Sequence, residues 1–153
     1  MRPAILAFLL LLILLAAGCG GSSTDSRADF QDAVNETRNN VDQAMADITD
    51  NPSGKQELLQ RMDEAATKID ASAEALDRKE APKGLTDEQT RLVTALRQLA
   101  VDLSQTADQI RQPEFGNLLQ GTQGLSFESW ENANKVLQQL KQQGIEVQPL
   151  GRH

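Results

Sequence analysis

Three prolines, each followed closely by a glycine, cut most of this chain into stretches of similar length: Pro52 with Gly54, Pro82 with Gly84, and Pro113 with Gly116. Proline has no amide proton and clashes with the turn before it, and glycine favours turns, so these pairs stop helices. Between them apolar or small residues recur in steps of three and four. The first stretch carries Phe30, Val34, Thr37, Val41, Ala44 and Ile48. The second carries Leu58, Met62, Ala65, Ile69, Ala73 and Leu76, and the third Leu92, Leu96, Leu99, Leu103, Thr106 and Ile110. A mean step near 3.5 describes a helix that buries one narrow seam. Val and Ile are few in these stretches, so a sheet is not expected.

The spacing predicts long helices near 27–50, 54–80 and 86–112. Ser53 with Gln56, and Thr86 with Gln89, have the spacing of capping boxes. Asp87 and Glu88 suit the positive end of the third helix, and Arg78 and Lys79 the negative end of the second. Glu57–Arg61, Glu64–Lys68, Glu74–Arg78, Asp87–Arg91 and Glu131–Lys135 are acid-to-base pairs at helical spacing, each contributing a few tenths of a kcal/mol. After Pro113 the texture changes. Gly116, Gly121 and Gly124 fall among Phe115, Leu118, Leu119, Leu125, Phe127 and Trp130, which reads as a folded-over loop. A shorter helix is expected at about 127–143, with Gly144 ending it, Ile145 as the apolar companion of that stop, and a short extended tail beyond. Short turns favour antiparallel neighbours. The expected fold is therefore all-α: an up-down-up antiparallel bundle of three long helices plus a shorter C-terminal helix.

The amino terminus is a separate matter. Arg2 precedes an unbroken apolar run, Ala4 to Ala17, too short for a comfortable span of about 20 residues but of the length of a secretory core segment. Ala16, Ala17 and Gly18 then lead directly into Cys19, the one cysteine of the chain. This resembles the lipobox of bacterial lipoproteins. The resemblance implies a diacylglycerol on the Cys19 thiol, cleavage between Gly18 and Cys19, and an extracytoplasmic, lipid-anchored mature chain. It also implies an outer-membrane address if the source has two membranes, since Gly20 rather than Asp follows the cysteine. Two acyl chains, at roughly 0.8 kcal/mol per buried methylene, suffice for stable anchoring. "GGSSTDS", Gly20 to Ser26, reads as a flexible tether. With Cys19 acylated, no thiol remains for a disulfide. The expected divisions are a signal peptide at 1–18, a lipidated tether at 19–26, a helical bundle at 27–148 and a tail at 149–153. The stretch Glu80 to Leu103, "EAPKGLTDEQTRLVTALRQLAVDL", is similar to small helical envelope lipoproteins of unknown function, which implies a non-catalytic envelope role and no defined ligand.

Charge and residue inventory narrow the function. With 15 Lys+Arg against 22 Asp+Glu, the net charge of −7 argues against nucleic acid and against a polybasic hold on anionic lipid. The one histidine, His153, is the last residue, which removes histidine triads and histidine metal clusters. No acid clearly interrupts an apolar seam, so no enzyme, catalytic residue, metal or cofactor is expected. Asp47, Asp50 and Asn51 offer oxygens outside the spacing of a calcium loop and read as a helix end and turn. Phe115, Phe127 and Trp130 either close the end of the bundle or form a partner surface. The expected function is a binding or structural role at the extracytoplasmic face of the membrane. The expected partners are membrane lipid through Cys19 and an envelope protein, and the domain itself is expected to be a monomer. The rival readings are a small-molecule or ion-binding lipoprotein and an accessory subunit of an envelope transport complex.

Overall fold

The computed structural model describes residues 22–112 and 127–151, with side chains from Asp25 onward. These residues are all-α, with four helices: α1 Ser22–Thr49, α2 Lys55–Asp77, α3 Thr86–Arg111 and α4 Glu128–Gln142. No strand occurs among the described residues. α2 packs against α1 and α3, and α3 against α2 and α4.

The seams form the core. Every residue of the first two seams is buried, Thr37 included. In the third, Leu92, Leu96, Leu99, Leu103 and Ile110 are buried, but Ala107 takes the inward place expected of Thr106. Thr106 instead turns its hydroxyl back to the Asp102 carbonyl (2.8 Å), a bond available on the helix flank and one that spares the core a polar group. Contacts between α2 and α3 run in opposite senses: Arg97 meets Asp77 (2.9 Å), and Arg111, fourteen residues later, meets Asp63, fourteen residues earlier. α3 and α4 behave alike, with Asp102 bonded to Ser129 and Glu88 to Gln143.

Helix ends depart from the expected caps for identifiable reasons. α1 starts at Ser22, so residues 22–26 of the expected tether are helical. No Pro or Gly interrupts them, and Asp25 suits a first turn. Ser53 and Gln56 do not form the capping box. The Ser53 amide and hydroxyl donate to Glu57, one residue further on, because Gly54 takes the cap position and makes Glu57 the third helical residue. Thr86 and Gln89 do not form one either. Thr86 is already helical, Leu85 is the cap without a side-chain bond, and the Gln89 amide donates backwards to the carbonyls of Leu76 and Lys79 (2.7 Å each). Gln89 thus closes the C-terminus of α2 instead of the N-terminus of its own helix. Of the charge pairs, Glu57–Arg61 and Glu74–Arg78 form. Lys68 pairs across to Asp47 on α1 (3.2 Å), Arg91 pairs with Glu88 (2.9 Å), and Lys135 reaches Asn132 (3.5 Å).

α4 ends as expected. Gly144 has φ +85°, its amide donates to the Lys141 carbonyl and that of Ile145 to the Leu140 carbonyl (3.0 Å each), with Ile145 buried. A side chain at Gly144 would face a left-handed backbone and place its Cβ 3.2 Å from the Arg27 guanidinium. Gly144→Ala is expected to lower unfolding free energy by about 1–2 kcal/mol, read as a lower urea midpoint at unchanged slope. An unshifted midpoint would contradict the turn.

Candidate functional site

Gly18, Cys19 and Phe115 lie outside the described residues. The nearest described point to the lipidation residue is Ser22, three positions on, where α1 begins. Phe127 and Trp130 are described, and both are half-buried and packed on the core. Phe127 is the N-cap of α4, and its carbonyl accepts the Trp130 amide (3.0 Å), so local helix geometry holds the two rings at the start of α4.

The most organised polar arrangement among the described residues involves the C-terminal segment. Five side chains on one stripe of α1 bond to its main chain. The Arg27 guanidinium donates to the Gln143 carbonyl. Gln31 accepts the Glu146 amide (2.8 Å), and Asn35 donates to the Glu146 carbonyl (2.8 Å). Arg38 donates twice to the Pro149 carbonyl (3.1 and 2.9 Å), and Asp42 accepts the Gly151 amide (2.8 Å). Asn134 of α4 accepts the Leu150 amide (2.7 Å). Arg38 and Asp42 are also an ion pair, which fixes both side chains toward the strap. Partners advance together along both elements, so the strap runs in the direction of α1. Fifteen helical residues rise about 22 Å, and eight extended residues reach about 26 Å. The chain from Gln143 to Gly151 is therefore nearly fully stretched.

Ile145, Val147 and Leu150 of the strap are buried in the core. Leu150 lies in the segment expected to be a separate tail, so the packed unit extends beyond residue 148. Burying three such side chains contributes about 1.5–3 kcal/mol each. Ordering seven residues costs roughly 1–2 kcal/mol each. Apolar burial and ordering nearly offset one another, so the side-chain bonds from α1 decide whether the strap stays down. Sequence reasoning missed this stripe. Gln31, Asn35, Arg38 and Asp42 each follow a seam residue by one position, but any solvated helix flank carries the same residue types.

Two other clusters are structural. Glu88 is a buried carboxylate, against the expectation that no acid enters the packed faces. It accepts from Arg91 (2.9 Å) and Gln143 (2.8 Å), joining α3 to the end of α4. At the other end of the fold, the Asp47 and Asp50 carbonyls accept the Arg61 guanidinium (2.8 and 2.7 Å), so a cationic side chain sits where the sequence offered oxygens to an ion. Among the described residues no three His, Cys, Asp or Glu side chains are grouped to hold a metal, and no helix is long and apolar enough to cross a membrane. Beside Arg61, the Ser53 hydroxyl, then the Ser53 amide and Arg61 itself, hold the Glu57 carboxyl down at about 2. A depressed carboxyl stabilises the folded state above its unfolded value near 4.5, and that contribution disappears as pH falls from there toward 2. Glu57→Gln is expected to flatten the loss of stability between pH 4.5 and 2, measured by urea unfolding at each pH. A wild-type carbon-13 titration of this carboxyl near 4.5 would refute the assignment.

Compared with known protein families, curated proteins and solved structures, the chain matches none.

Proposed function

We propose that this chain is a lipid-anchored extracytoplasmic module with a non-catalytic binding or structural role in the cell envelope. In this reading it folds as an up-down-up antiparallel bundle of three long helices and a shorter fourth. One observation carries it: an apolar run of export length ends in Ala16-Ala17-Gly18-Cys19, and a long helix begins at Ser22. The opposite senses of the α2–α3 and α3–α4 contacts support the bundle topology. The short α1–α2 connection supports the remaining turn. The anchor implied by the lipobox makes membrane lipid the first partner. An envelope protein is the second, since the site chemistry consists of hydrogen bonding to main chain rather than of reactive groups. With α1 starting so soon after Cys19, the bundle rides close to the bilayer rather than on a long tether.

Membrane fractionation tests the reading. The mature chain is expected to sediment with membranes, to remain there through high-salt and carbonate washes, and to enter the detergent phase on Triton X-114 partitioning. Recovery in the aqueous phase would overturn it. Capture on the full chain after cross-linking in intact membranes is expected to yield an envelope protein in fixed proportion.

A further inference from the structure

We infer that the flank of α1 occupied by the C-terminal strap is a binding groove for extended polypeptide, and that the strap is its resident, displaceable occupant. The ligand is an extended segment of a partner protein carrying apolar side chains at the spacing of Ile145, Val147 and Leu150. This rests on the reading of the chain as a binding module and gives that module its site.

The chemistry of the contacts points to this ligand class. Gln31, Asn35, Arg38 and Asp42 bond to amides and carbonyls of the strap and to none of its side chains in the bonds described above. Groups that read only main chain hold any extended segment whose apolar residues fit beneath it, as sheet edges do when they recruit a strand. Selectivity then comes from three positions, while Glu146, Gln148 and Pro149 between them are exposed. The attachment also suits release. The strap leaves α4 through Gly144, whose positive φ makes it a pivot, and beyond it the strap has no helix or strand of its own. Donors and acceptors alternate along the stripe with the main-chain polarity, so the groove fixes the direction of the bound chain as well as its register.

The test uses the full chain in detergent micelles and a fluorescent peptide with the sequence of residues 144–153. In Val147→Asp and, more mildly, Leu150→Ala, the strap is weakened and the groove untouched. Both are expected to bind the peptide saturably and at least tenfold more tightly than the wild type, with helix content retained. The same peptide N-methylated at the position of Glu146 loses the amide that Gln31 accepts and is expected to bind at least tenfold more weakly. Folded variants that ignore the peptide would overturn the inference. So would loss of helix in both variants, which makes the strap an integral part of the core. Concentration-dependent dimers without peptide uptake would overturn it in favour of a second copy as occupant. Partner capture that Val147→Asp and Leu150→Ala leave unchanged would place the partner site elsewhere and leave the module reading standing.

Discussion

Cys19→Ala is expected to leave the precursor at full length and to abolish incorporation of a fatty-acid probe altogether. The lipoprotein reading assigns the Cys19 thiol as the nucleophile that takes the diacylglycerol, and a methyl group cannot replace it. Without acylation the retained run Ala4 to Ala17 is the only membrane-seeking element, and it is shorter than the roughly 20 residues that span a bilayer. The variant should therefore be extractable under conditions that leave the wild type in place. Its bundle should be unaffected, because the interhelical and strap bonds begin at Arg27, well past the substituted position. Far-UV circular dichroism of the extracted variant should match that of the wild type. Normal cleavage and labelling of Cys19→Ala would refute the anchor, and with it the envelope setting.

The helices were legible because burial obeys their periodicity. A seam such as Leu58–Met62–Ala65–Ile69–Ala73–Leu76 has one arrangement that removes all six from water, and the structure adopts it. Thr106 and Ala107 mark the limit of that reasoning. A step of three or four allows either position, and only packing shows that the smaller, fully apolar residue lies inward. Helix ends were less legible, since a side chain three residues ahead of a cap can bond in either direction. Gln89 lies three positions after Thr86 and also one turn into a helix that passes the end of α2. Spacing alone could not choose between those partners. The strap was hidden for a different reason: its apolar residues, Ile145, Val147 and Leu150, follow neither a helical nor a strict two-residue period. Their burial depends on a stripe of α1 more than a hundred residues earlier. Of the expected partner surface, the half-burial of Phe127 and Trp130 follows from their place at the start of α4, beside the core they pack on.

Gln89→Glu is expected to destabilise the domain at pH 7 by about 3–5 kcal/mol, the range for leaving a buried charge without a partner. The wild-type residue is only 6% exposed, and its amide gives both protons to the Leu76 and Lys79 carbonyls. Carbonyls in the last turn of a helix lack intrahelical donors, which is why a side chain from the next helix is useful there. A carboxylate of the same shape has no proton to give. It would set two acceptors against two acceptors and bring a negative charge to the negative end of α2. The penalty should depend on pH in a defined sense. Burial among carbonyls raises the folded-state pKa of the introduced carboxyl above its unfolded value near 4.3, so the full loss applies above the folded value and shrinks as pH falls through it. Once protonated, the acid again donates one of the two bonds. The Glu57 effect begins only below about 4.5, so a comparison with wild type between pH 7 and 5 isolates the new group. Urea unfolding followed at 222 nm should show the variant recovering part of its deficit over that interval, while Gln89→Ala shows a smaller deficit that pH does not change. If Gln89→Glu unfolded at the wild-type midpoint at pH 7, the amide could not be bridging α2 and α3 as described, and the end of α2 would need another partner.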